Sequence, residues 1–166
     1  MNDTLDRYLS GVASERDRAN LRAILAPIVD RLSSQAHNSA GLEITAGGGT
    51  TAQIGSGVTF HAAVKGKSLT IAAGTDMPAL VGTITSTKYN VFCFFLDSAG
   101  TKTVAMGTEA ATRALVTFPP FPEGKALIGY IVVTHSSTFT GGTTALDTAT
   151  TVYVSPIGPF DPSVLI

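Results

Sequence analysis

Residues able to carry chemistry are few in this chain, and they are scattered. Gly66-Lys67-Ser68 matches the second half of a phosphate-binding loop, but the first glycine of that loop would stand at position 61, which is His61. A strand pattern follows where such a loop needs the N-terminus of a helix to hold phosphate. A hairpin turn that carries Lys65 and Lys67 into water accounts for the same residues. The glycines of 47–49 and of 55–57 lack the G-x-G-x-x-G spacing of dinucleotide sites and read as turns. His37, His61 and His135 lie far apart, none with another histidine two or four residues away, and one Cys with sparse carboxylates makes a poor ligand supply for a metal. Cys93 stands between Phe92 and Phe94 and reads as a small buried hydrophobe whose thiolate is disfavoured. Asp76, Asp97, Glu109, Glu123 and Asp147 all fall in turn sequences, where carboxylates are usual on structural grounds alone. A glycosidase pair would have to be assembled from these across separate loops. The expectation is a protein with no catalytic, cofactor-binding or metal-binding residues, and not an enzyme.

Composition points the same way. The chain has 166 residues, the size of one domain with an appendage. Charged residues are only 14% of it, hydrophobic residues 44%, and its 23 threonines equal the 11 basic and 12 acidic side chains together. Hydroxyls must therefore wet much of the surface that charges wet elsewhere. A net charge of -1 gives no footprint for nucleic acid, which requires a concentrated basic face. The longest apolar run, Ala126 to Val133, falls short of the roughly 20 residues of a membrane helix. Asp3, Asp6 and Arg7 interrupt the first residues where a signal peptide would be apolar, so synthesis in the cytoplasm is expected. Neither nucleic acid nor membrane is an expected partner.

Residues 1–36 hold ten of the 23 charges and five of the six Arg, which divides the chain. Leu5, Leu9 and Val12 form one helical stripe, and Leu21, Leu25, Ile28 and Leu32 form another in a different register, with Gly11 between them. Ser14 and Asp17 carry the signature of a helix start. Pro27 predicts a kink and Ser33 to Asn38 the helix end. Four large apolar side chains in a row must pack on the body of the subunit or on copies of themselves.

Beyond residue 42 the period becomes two. Val58 to Val64, Ser68 to Ala73, Leu80 to Thr85 and Ala114 to Phe118 alternate as half-buried strands do, with Thr on much of the outward face. Val91 to Leu96 and Leu127 to Val133 are apolar on both faces and require cover on both, from a second sheet and the helices or from another subunit. Asp97-Ser-Ala-Gly100 joins the first of these to Thr101–Met106 as a hairpin. About eight to ten short strands, with no helix among them, predict a mainly β fold: an antiparallel β-sandwich or barrel with an N-terminal helical segment. The expected division is a helical segment over 1–40, a β domain over 41–155, and an extended arm over 156–166, where three prolines exclude a central strand.

The segments Asn90 to Ala111, Phe118 to Thr134, Thr138 to Thr150 and Tyr153 to Pro162, in this order, resemble small virion structural proteins of tailed bacteriophages, of the head decoration (cement) or head-fibre type. The resemblance covers roughly the second half of the chain. It implies a β-rich, oligomeric protein, a homotrimer in the expected case, that binds the outside of a capsid and stabilises it. Its partners would be copies of itself and the major capsid protein, and its location the virion surface. No catalytic motif of that group is matched here. The residues expected to make contacts are Leu21, Leu25, Ile28 and Leu32 of the helix and Phe160, Leu165 and Ile166 of the arm. The rival expectation is a tail or fibre component that binds a receptor or carbohydrate; an absence of Trp and only 7% aromatic residues weigh against it.

Overall fold

The computed structural model describes residues 15–159. The expected first helix around Leu5 to Val12, the Ser14 cap, and the arm residues Phe160, Leu165 and Ile166 lie outside the described residues. Among the described residues one α-helix, α1 (Glu15–Ser33), precedes eleven strands. It is built from good helix formers, Ala, Leu and Arg, and it continues through Pro27 for six further residues.

Two sheets form the body. A three-stranded sheet takes the order β1 (Gln35–Ala36), β4 (Phe60–Val64), β5 (Lys67–Ile71), and a four-stranded sheet takes the order β11 (Thr150–Val154), β9 (Lys125–Thr134), β7 (Tyr89–Asp97), β8 (Lys102–Met106). Two small ribbons pair β2 (Glu43–Ile44) with β3 (Ala52–Gln53) and β6 (Thr83–Ile84) with β10 (Phe139–Thr140). Every pairing is antiparallel. The fold is mainly β with an N-terminal helix, as the alternation predicts, although five of the eleven strands have only two residues.

The two sheets share one apolar core. Phe60, Ala62 and Val64 face Phe92, Phe94 and Leu96 of β7 and Ala126, Ile128, Ile131 and Val133 of β9. The change from even to odd numbers along β9 has a physical cause. Phe94 is opposite Gly129 while Phe95 is opposite Leu127, so Ile128 is an extra residue, a bulge that turns the later side chains over. Gly129 makes room there, since an added Cβ would stand 2.6 Å from the Val154 carbonyl oxygen and 2.7 Å from Leu42 Cδ1.

The opposite face of the four-stranded sheet carries Val91, Cys93, Phe95, Leu127 and Val132. Among the described residues no apolar side chain of the helix packs on these. The cover is the chain's own loop between β8 and β9, which lays Val116, Phe118 and Phe121 on them, with Phe121 edge-on to Phe95 and Phe118 edge-on to Tyr130. This corrects the expected strand at Ala114–Phe118. Arg113–Leu115 is a short 3₁₀ turn, and only Thr117 makes a β-bridge, to Thr108. A loop pressed on a sheet buries alternate side chains and so imitates the strand pattern. The expected strand at Leu80–Thr85 shrinks to Thr83–Ile84, because Gly82 holds a left-handed φ of 89° just before it.

Both hairpins read from the sequence form. Lys65 and Gly66, with φ of 52° and 76°, make the two-residue turn between β4 and β5, so Gly66-Lys67-Ser68 leads into a strand and not into a helix. In the β7–β8 turn the Asp97 carboxylate accepts the N–H groups of Ala99 and Thr101, each at 2.9 Å, and Gly100 takes φ of 87°. The Thr101 N–H above all holds the Asp97 carboxyl below its usual range. After β11 the chain leaves the sheet at Pro156, and Gly158 returns one hydrogen bond to the Ala36 carbonyl at 2.8 Å.

Candidate functional site

The helix is attached to the body at its C-terminal end, and the attachment is polar. Gly124 N–H donates to Asp30 Oδ2 at 2.8 Å, and Asp30 is only 6% exposed. The guanidinium of Arg31 lies 3.5 Å from the centre of the Phe121 ring, and its Nη2 donates to the Phe121 carbonyl at 3.5 Å. Ser34 Oγ accepts Lys65 N–H at 3.1 Å and the Ser33 carbonyl accepts Gly66 N–H at 2.9 Å. Two loops, 65–66 and 121–124, therefore fix the last turn, and the Gly66 N–H satisfies one carbonyl, that of Ser33, that a helix end leaves open.

Asp30 decides which way the helix faces. It stands nine residues after Leu21, about two and a half turns, so it projects from the opposite side. With Asp30 held inward, Leu21, Ile24, Leu25, Ile28 and Leu32 share an arc of about 100° that points away from the body. Ile24 is 62% exposed, Ile28 50% and Leu32 60%, while Leu21 and Leu25 are partly covered. An ordinary surface helix turns its apolar stripe to the core; α1 instead leaves much of its stripe in water and buries Asp30, while Asp17 and Arg22 stay exposed. Val81, Leu115 and Ile157 are also exposed, but singly, which is common on any surface. On the helix face the exposed apolar side chains are instead neighbours on one side.

Of the residues expected to make contacts, the structure brings Leu21, Leu25, Ile28 and Leu32 onto one face and adds Ile24, which the 4-3-4 spacing passed over. Asp30 and Arg31 were also passed over as anchors. The signal for them was the only acidic side chain between Leu21 and Leu32, followed directly by a base.

The candidate chemical residues do not converge. Among the described residues no three His, Cys, Asp or Glu side chains form a group able to hold a metal ion. His61 Nδ1 is 3.1 Å from Thr70 Oγ1, and His135 bonds to nearby Ser137. Cys93 is buried, and burial pushes its thiol up. Asp147 Oδ2 accepts Gly48 N–H at 2.6 Å, and Glu43 Oε1, which the sequence reading passed over, accepts Gln53 Nε2 at 2.8 Å and Ser56 N–H at 2.7 Å.

Glu109 has the most elaborate carboxylate environment. It takes the Thr85 N–H and hydroxyl at 2.8 Å each and Lys88 Nζ at 3.0 Å, joining the β8–β9 loop to the segment before β7. These donors, the Thr85 N–H first, bring its pKa down to about 2. A carboxyl lowered on folding stabilises the fold above the ordinary carboxylate range, and that contribution disappears as pH falls through this range toward about 2. Glu109→Gln should therefore lower the denaturation midpoint near neutral pH, and the gap between the two proteins should close in acid. Urea unfolding across a pH series measures it.

A shallow cleft of about 370 Å³ opens at one end of the four-stranded sheet, lined by Thr87, Tyr89, Thr134, His135 and Thr150 among others. It offers hydroxyls and one aromatic ring. Comparison of the chain with known protein families, with curated proteins and with solved structures gives no match.

Proposed function

We propose that the chain is a structural, non-catalytic virion protein that binds the outer surface of a bacteriophage capsid and stabilises it, as a decoration or cement protein. The observation that carries this reading is the outward apolar face of α1: a helix clamped to its body through Asp30 with Ile24, Ile28 and Leu32 in water belongs to a component that is completed by assembly. The order of segments in the second half, which resembles such proteins, supports the capsid as the setting. A body with as many threonines as charges supports contact with other protein, since hydroxyl surface costs less to dehydrate than ionised groups. Copies of itself and the major capsid protein are the proposed partners, and the virion surface, reached from the host cytoplasm, the proposed location.

The mechanism is mass action. A protein that binds only the assembled lattice stabilises that state by RT ln(1 + [L]/Kd), without chemistry and in proportion to occupancy. Negative-stain microscopy of virions with and without this protein tests the reading: missing density on the head supports it, and missing density confined to the tail opposes it. The hydroxyl-lined cleft beside Tyr89 favours a second reading, a receptor- or carbohydrate-binding module of tail or fibre. Specific binding on a glycan array together with loss of host adsorption on deletion would place that reading first.

A further inference from the structure

We propose that the cleft at the end of the four-stranded sheet is a binding site for one uncharged sugar residue of a glycan. This goes beyond the capsid reading, since a body on a shell and a body on a fibre present the same cleft, and it narrows the carbohydrate alternative to one ligand class at named side chains. The strand register builds the floor. Tyr89 on β7 is opposite Thr134 on β9, and Thr134 is opposite Thr150 on β11. Residues directly opposite one another in a sheet put their side chains on the same face. One ring and two hydroxyls therefore stand abreast across three strands, about 10 Å from end to end. Beside them on that face Val91, Val132 and Val152 make an apolar row, so the cleft begins where the face changes from apolar to hydroxyl-bearing.

Loops supply the rim. Thr87 has φ of 65°, in the left-handed region that a β-branched residue rarely enters. Such a residue persists only where its surroundings hold it, and strained residues gather at ligand sites. Thr87 N–H donates to the His135 carbonyl at 2.8 Å, and Lys88 N–H closes the turn on the Thr85 carbonyl at 3.0 Å. The result is a threonine in the wall of the cleft where glycine would make the same turn without strain. Thr87 Oγ1 donates to the Ser86 carbonyl at 2.6 Å and Thr148 Oγ1 to the Ala145 carbonyl at 2.7 Å, so both hydroxyls keep lone pairs for the O–H groups of a ligand. His135 Nδ1 is held by Ser137 Oγ at 2.9 Å, which fixes the ring and leaves Nε2 for a ligand. Among the described residues no Lys, Arg, Asp or Glu lines the cleft, so nothing there offsets the dehydration of a phosphate or carboxylate. Hydroxyls and an imidazole around one aromatic ring match a ligand with O–H groups at its edge and C–H groups on its face, which is a neutral pyranose. With a volume of about 370 Å³ and open to water, the cleft takes the end of a glycan and not a whole oligosaccharide.

Titration of the isotope-labelled full-length protein with the methyl glycosides of glucose, galactose, mannose and N-acetylglucosamine, followed by amide NMR shifts, tests this. At least one glycoside should move the amides of Thr87, Tyr89, Thr134 and Thr150 with saturation in the millimolar range, while glucuronate and glucose 6-phosphate leave them in place. Thr134→Val keeps the shape of the side chain and removes its hydroxyl, and it should weaken that binding about two- to tenfold. Thr87→Gly should also weaken binding, yet unfold in urea no earlier than the wild type, because it relieves the left-handed backbone; a residue with only a structural role would not separate the two readouts. Cleft amides that no neutral glycoside moves, equal binding of the charged sugars, or an affinity unchanged by both substitutions would each overturn the inference. A silent cleft on a protein that still coats capsids would overturn it and leave the shell-binding reading standing; a cleft that binds sugar on a protein that ignores capsids would do the opposite.

Discussion

Replacing Phe94 with Ala should lower unfolding stability by about 3–5 kcal/mol, whereas Leu32→Ala should change it by less than about 0.5 kcal/mol. Both are large apolar residues on regular elements, and their surroundings make the difference. Phe94 lies on the central strand pair, fully buried between the two sheets, with Val104 of β8 on one side and Gly129 of β9 on the other. Removal of its ring leaves a cavity in a closely packed interior that cannot collapse onto the space, because β7 is held by hydrogen bonds on both edges. Leu32 is 60% exposed and loses little that water does not already touch. Urea denaturation, at a concentration low enough to keep chains apart, measures both. The contrast is diagnostic of a helix whose apolar side chains serve something other than the fold of one chain. A Leu32→Ala cost comparable to that of Phe94→Ala under those conditions would mean that the helix packs on its own body after all.

The second large effect is expected at the anchor. Asp30→Ala leaves the Gly124 N–H without its acceptor, and an unpaired buried donor costs about 1–3 kcal/mol. Asp30→Asn retains a side-chain oxygen in the same place and should recover most of the loss. The readout that separates an anchor from a generic core effect is local. Amide hydrogen exchange should accelerate at Gly124 and along the last turn of α1 in Asp30→Ala, while the β7 and β9 amides slow to exchange in the native protein stay protected. Uniform acceleration over the β-sheet would instead assign Asp30 to the global fold.

These two sites also show how much of the molecule is legible from residues alone. The buried pair of strands is legible, because apolar runs such as Val91 to Leu96 that lack a polar face can only be central. The hairpins are legible because Asp97, Gly100 and the Lys65-Gly66 pair supply the side-chain acceptor and the left-handed backbone that tight turns need. What covers the outer face of the central strands is not legible. Val116, Phe118 and Phe121 reach it from a loop, and periodicity cannot distinguish a loop lying on a sheet from a strand within one. The β9 bulge is similarly hidden, since an apolar run reads the same in either register. For the helix, the stripe was visible and its direction was not. Direction depends on Asp30, a single polar residue whose partner, Gly124, lies 94 positions away. Local pattern carries no information about that distance, and only the closed fold reveals that the stripe is turned outward.

Purified protein added to capsids that lack it, followed by sedimentation of the capsids, tests the central claim most directly. Saturable binding of the wild-type chain, a rise in the temperature at which the capsids open, and loss of both with the Leu25→Asp and Ile28→Asp double variant are the predicted results. Protein left entirely in the supernatant, with capsids opening at an unchanged temperature, would contradict the assignment to the shell.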